Sequence, residues 1–147
     1  MGVIVVGVDG SEGAAIALDF AMKEAAIRGS GLRLVSAWEI PASVLASVVA
    51  GKEFYEEFRD NAIKVARDAG ALVNERHPEV EHEEIVVEGQ AGRVLLENAE
   101  DAELMVVGRR GHGSFREMLL GSISRQVVVH AKCPLVIVPS PLLKQAR

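Results

Sequence analysis

The chain holds a single cysteine, Cys133, in 147 residues, so no disulfide can form within it. Aromatic residues are scarce, 4% of the chain against 49% hydrophobic residues. Its core must therefore be built from Val, Ile, Leu and Ala, the composition of a parallel sheet buried by helices on both faces. No apolar stretch approaches the roughly 20 residues that a membrane helix needs. The first strand pattern begins almost at Met1, which leaves no room for a signal peptide. The expectation is a soluble cytoplasmic protein without a membrane partner. Basic residues are not in excess either: the formal net charge is −5, against the basic face that a general nucleic-acid binder carries. The charge is uneven, however. Acidic residues gather in 75–84, while Arg109, Arg110, Arg116 and Arg125 gather around a glycine-rich stretch.

Catalytic and metal motifs are missing too. The histidines, His77, His82, His112 and His130, share no metal-ligand spacing, and no metal site is assigned. His77 and His82 flank an acidic turn, and Cys133 reads as a small buried residue ahead of a strand. There is no Ser-His-Asp order with supporting motifs and no general base beside the glycines. No catalytic residue is assigned.

What the chain does have is alternation. Residues 3–8 are a continuous β-branched run, the pattern of a buried parallel strand. Helical spacing follows over 12–28, with Ile16, Phe20, Ala21 and Ile27 as the apolar positions and Gly29-Ser30-Gly31 as the stop. A second strand covers 32–38. Residues 39–51 are ambiguous between a mobile segment and a short helix. A long amphipathic helix runs from Lys52 to about Arg76, striped by Phe54, Phe58, Ala62, Val65 and Ala69. Then come a strand at 84–88, a loop at 89–92, a helix at 93–101 with Val94, Leu95 and Ala99 inward, a strand at 104–107, a helix at 122–130 and a last strand at 134–138. Five strands alternating with helices predict one α/β domain over 1–147, its tail from 140 frayed. The sheet should be parallel, doubly wound and covered on both faces. In such sheets ligands bind beyond the carboxyl ends of the strands, where the strand order reverses.

One stretch at such an end stands out. A strand runs into Gly108-Arg109-Arg110-Gly111, and Gly113 follows. Gly121-Ser122 then opens a helix. Glycines let a backbone approach a ligand closely, and a helix start offers free N–H groups with a positive dipole end, the physical recipe for holding a phosphate. The stretch is neither a Walker loop nor a dinucleotide GxGxxG. The Ser122 hydroxyl can bond a phosphate oxygen or cap the helix. Arg109, Arg110, His112 and Arg116 lie inside the loop, where they can neutralise phosphate charge or face solvent. Asp9, at the end of the first strand, can accept from ribose hydroxyls or cap the first helix in competition with Ser11.

The spacing Gly108-x2-Gly111-x9-Gly121-Ser122 resembles the signature of the ATP-binding branch of the universal stress protein family. The opening Val5-Val6-Gly7-Val8-Asp9-Gly10-Ser11 and the closing Cys133-Pro134-Leu135-Val136-Ile137-Val138 are similar to that family as well. The resemblance implies a Rossmann-like, adenine nucleotide alpha-hydrolase-like fold. It implies an adenine nucleotide ligand, ATP or else ADP or AMP, with Mg2+ held largely by the phosphates and water. On that basis Asp9 contacts the ribose or adenine side, and the backbone of Ala37 pairs with the adenine edge. Gly7 and Val8 line the same wall, while Gly108, Gly111, Gly121, Ser122 and Ile123 hold phosphates. The last strand, Leu135–Val138, is an apolar edge that must be covered or paired, and the resemblance implies a homodimer through it. Three functions stay open: a nucleotide-dependent regulator of stress response, placed first; a slow ATPase or phosphotransferase; and an interaction module with a vestigial site. The protein partner is not indicated.

Overall fold

The computed structural model describes residues 2–47, 52–109 and 121–139. Its elements alternate as expected: β1 (Val3–Gly7), α1 (Glu12–Arg28), β2 (Gly31–Trp38), α2 (Ala42–Ser47), α3 (Lys52–Arg76), β3 (His82–Glu88), α4 (Ala91–Asn98), β4 (Leu104–Gly108), α5 (Ser122–His130) and β5 (Leu135–Val138). The ambiguous segment after β2 contains the short helix α2; residues 48–51 lie outside the described residues, as does the tail from 140.

All five strands pair in parallel in the order β3-β2-β1-β4-β5. Alternation along each strand divides the core into two layers. Ile4, Val6, Leu32, Leu34, Leu104 and Val106 face α1 and α3. Val5, Val35, Met105 and Val107 face α4 and α5, through Val94, Leu95, Ala99 and Val127. The two central strands, β1 and β4, are buried on both sides. Their unbroken apolar runs in the sequence have this cause.

Several sequence expectations are corrected here. On α1 the buried face is Gly13, Ala17, Leu18, Ala21, Met22 and Ala25, whereas Ile27 is 80% exposed. Of the expected positions Ala21 is buried and Phe20 packs partly against the same layer, while Leu18 and Met22 fill the face between the alanines. On α3 the buried stripe is Ala62, Ala66, Ala69 and Val73, with Phe54 exposed. Ala62 and Ala69 of the expected stripe are buried and Val65 packs partly against the same layer, but the buried positions sit toward the helix's carboxyl half. Strand β3 starts at His82, two residues early, so His82 joins the sheet rather than flanking a turn. Helix α4 starts at Ala91, where a loop was expected, because the Gln90 side chain caps it. Cys133 is half-buried against the α4–α5 layer. Among the described residues no helix is long and apolar enough to cross a membrane.

Away from the carboxyl edge, an ion cluster ties β2, β3 and the end of α4 together. The Arg33 guanidinium donates to Asp101 Oδ1 (2.8 Å), to Glu83 Oε1 (2.8 Å) and to the Asn98 carbonyl (2.6 Å). Hydrogen bonding to Asp101, then to Glu83, raises the Arg33 pKa. The same bond, with the attraction of the guanidinium, holds the Asp101 carboxyl below its ordinary range. A carboxylate depressed in the folded state stabilises the fold above its unfolded pKa and loses that contribution as pH falls through the folded one. Asp101→Asn is therefore expected to narrow the gap from wild type as pH drops. Urea midpoints should differ near neutrality and converge below about pH 4; a gap independent of pH would count against the ion pair.

Candidate functional site

The chain leaves β1 toward β2 on one side and reaches β4 on the other side of β1. The strand order therefore reverses between β1 and β4, and the crevice expected at such a point is present. It has a volume of about 130 Å³, roughly ten times what a single water needs, and a mostly apolar lining. Its floor is the strand ends: Gly7 and Val8 of β1, Val35 and Ala37 of β2, Val107 and Gly108 of β4. Its walls are helix starts: Ser11 and Ala14 from α1, Ala91 and Leu95 from α4, and Gly121, Ser122, Ile123 and Ser124 from α5. Three helices thus point their amino ends, and the positive ends of their dipoles, at one space.

Those helix starts are not equivalent. In α1 the Ser11 hydroxyl accepts from the Ala14 N–H (3.1 Å), and the Ser11 N–H in turn donates to Asp9 Oδ1 (2.8 Å). In α4 the Gln90 side chain accepts from the Arg93 N–H (2.9 Å). Helix α5 has Gly121 at its N-cap, with no side-chain cap hydrogen bond. Its first turn, at Ser122 and Ile123, has N–H groups with no intrahelical acceptor. Ser122 is the first helical residue and does not cap. Asp9 does not cap α1 either, since Ser11 takes that place; its carboxylate fastens the turn that leads into the helix.

The glycines serve packing as well as access. A β-carbon on Gly108 would lie 2.7 Å from the Gly13 carbonyl oxygen and 2.8 Å from its carbon. Gly108 is thus required for the first turn of α1 to sit on the end of β4. A β-carbon on Gly7 would meet Leu95 at 3.2 Å, on the opposite face. Gly10, at φ 81°, makes the left-handed turn between β1 and α1, a conformation that glycine adopts without cost.

Of the residues expected at a site, Gly7, Val8, Asp9, Ala37, Gly108, Gly121, Ser122 and Ile123 all meet in this crevice. Arg109 lies beside it rather than in its lining, its N–H donating to the Val138 carbonyl (2.9 Å) and its own carbonyl accepting from the Gly121 N–H (2.9 Å). Arg110, Gly111, His112, Gly113 and Arg116 lie outside the described residues. Sequence reasoning missed Ser11, Ala14, Val35, Ala91, Leu95, Val107 and Ser124. Their common signal was position, at strand ends and in first helical turns; none carries an unusual residue type. The groups with shifted pKa among the described residues are Arg33, Tyr55, Asp101 and Cys133, and none lines the crevice. Its described lining is mostly backbone and apolar side chains, with Asp9, Ser11, Ser122 and Ser124 as the polar ones.

A model of the universal stress protein family matches residues 1–139. Over 135 residues the chain is 36% identical to a universal stress protein of Mycolicibacterium smegmatis, covering 92% of this chain and 45% of that one. The chain spans about half the length of the curated relatives it matches. Among solved structures, a universal stress protein in complex with cAMP aligns at TM-score 0.68 and 26% identity, over 95% of this chain and 97% of that one. A universal stress protein from Archaeoglobus fulgidus in complex with dAMP aligns at TM-score 0.69 and 21% identity, over 94% and 97%.

The packing role of Gly108 has a direct consequence. Gly108→Ala should destabilise the fold by about 1–3 kcal/mol, the usual cost of overpacking, because the obstacle is backbone and cannot rotate away. Chemical denaturation measures this; an unchanged midpoint would mean that α1 shifts freely on β4.

Proposed function

The chain belongs to the universal stress protein family, and from that premise we propose that its crevice binds an adenine nucleotide and that occupancy regulates the protein's part in a stress response. The observation that carries the reading is the open amino end of α5 beside an apolar crevice. Two structurally similar family members were solved with cAMP and dAMP, ligands that share an adenine base and a phosphate. In this chain the base stacks among Val35, Ala37 and Leu95, with the Ala37 backbone along its edge. The ribose lies toward Asp9. Phosphate oxygens accept from the N–H groups of Ser122 and Ile123, and the Ser122 hydroxyl, exposed at the mouth, adds a donor. Gly108 and Gly121 keep β-carbons out of the path, and a role for Arg109, Gly111 and Gly113 toward the phosphates rests on the glycine spacing of the sequence. Mg2+ would be held by the phosphates and water rather than by side chains.

On this reading the protein is a cytoplasmic binder and not an enzyme. Among the described residues, the ionisable side chain in the crevice lining is Asp9, and one of its oxygens accepts from the Ser11 N–H. We also propose a homodimer through β5. The sheet ends on β3 and β5. Strand β3 guards its edge with charged Glu83, Glu84 and Glu88, whereas β5 reads Leu-Val-Ile-Val without a charge. Val128 and Val129 on the preceding helix are exposed as well. An edge of that kind needs a partner.

Two measurements test these readings. Gently purified protein should release an adenine nucleotide that mass analysis identifies, and ATP at about 100 times its Kd should stabilise the fold by ~2.7 kcal/mol. The Gly121 backbone (φ −72°, ψ 172°) is one that valine adopts, so Gly121→Val should fold and lose the nucleotide. Absence of both nucleotide and stabilisation in wild type would favour a vestigial site, and sustained phosphate release would favour an enzyme. Separately, sedimentation at micromolar concentration should give a dimer; a monomer alone would remove the β5 pairing.

A further inference from the structure

Ser124 is 2% exposed, yet its side chain does not cap α5. Its Oγ lies 2.8 Å from the Gly108 carbonyl oxygen and 2.9 Å from that of Arg109. A hydroxyl has one proton to give, so the two carbonyls share it, and Ser124 is held between the last residue of β4 and the residue after it. The Arg109 carbonyl also accepts from the Gly121 N–H (2.9 Å), and the Arg109 N–H donates to the Val138 carbonyl (2.9 Å). Residues 110–120 therefore depart from and return to one anchored point, whatever their own conformation. The first turn of α5 is tied to β4 by a side chain and to β5 through Arg109.

We propose that Ser124 is a positioning residue for the phosphate end of the crevice, a role that rests on the nucleotide reading above. Through its shared hydrogen bond it fixes the first turn of α5, so the N–H groups of Ser122 and Ile123 are aimed before ligand arrives. Preorganised donors spare the ligand the cost of ordering them. The base is held by β2 and α4, whereas the Ser124 hydrogen bonds go to the carbonyls of Gly108 and Arg109. The effect should therefore depend on how far a ligand's phosphates extend.

Calorimetric titration of the full chain with ATP and with adenosine tests this split. Ser124→Ala should weaken ATP about tenfold, the scale of one lost constraining hydrogen bond, and leave adenosine within about twofold. Ser124→Thr keeps the hydroxyl and should restore ATP binding, whereas Ser124→Val, of similar shape without it, should behave like Ser124→Ala. Unchanged ATP affinity in Ser124→Ala and Ser124→Val would overturn the role. So would an equal loss for ATP and adenosine, which is the mark of general loosening. Amide exchange at Gly121, whose N–H meets the same carbonyl, reads the anchor without ligand and should quicken in Ser124→Ala or Ser124→Val. If wild type binds neither ligand, the nucleotide reading fails; exchange at Gly121 then still decides whether the anchor exists, and unchanged exchange would overturn it.

Discussion

A strand can be followed by a parallel neighbour only if the chain first returns to the sheet's starting edge, and here helices make that return. Each such helix then begins at the same edge, where the strands end. This one constraint places the amino ends of α1, α4 and α5 together, and the order β3-β2-β1-β4-β5 opens a gap between their starts at β1 and β4. The crevice needs no dedicated structure of its own. It is what a doubly wound sheet leaves uncovered when helices on opposite faces diverge. The close contact of Gly108 with Gly13 sets how deep that gap is, since any side chain there would lift α1 off β4.

Within that frame the chemistry is decided by what happens to backbone N–H groups. A buried donor must be paired, and a serine near a helix start commonly pairs one. Ser11 does so for α1, and Gln90 does the equivalent for α4. The α5 start contains two serines, and neither is used that way. Ser122 stands one residue too far along, and Ser124 turns inward to the carbonyls of Gly108 and Arg109. The serine that could have competed with an anion for these donors instead fixes the frame that carries them.

Much of this was legible in the sequence. Parallel strands buried on both faces must read as unbroken apolar runs, and β1 and β4 do. The glycine spacing from Gly108 to Gly121 pointed to the sheet edge and the helix start that line the crevice. What could not be read was the inner face of α1. Its periodicity allowed Ile16, Phe20, Ala21 and Ile27, but the buried face is Gly13, Ala17, Leu18, Ala21, Met22 and Ala25, with Phe20 only partly buried and Ile27 exposed. The start of α4 was also hidden, since a glutamine cap carries no strong signal beside serine or aspartate. Ser124 is the clearest case: one serine among several, its role arises from two carbonyls that are 15 and 16 residues away in the chain.

The same facts bear on whether such a site holds or cuts. Backbone N–H groups and helix dipoles stabilise negative charge without exchanging protons, and they act on bound nucleotide and on a transferring phosphoryl group alike. Interactions that favour both states equally tighten binding and leave the rate of chemistry where it was. Acceleration needs an oriented nucleophile with a group to take its proton. Among the described lining residues the ionisable side chain is Asp9, which already fastens the turn into α1. The described lining of strand ends, helix starts and serine hydroxyls thus supplies fixed donors for negative charge. Turnover would have to draw its proton acceptor from outside that lining.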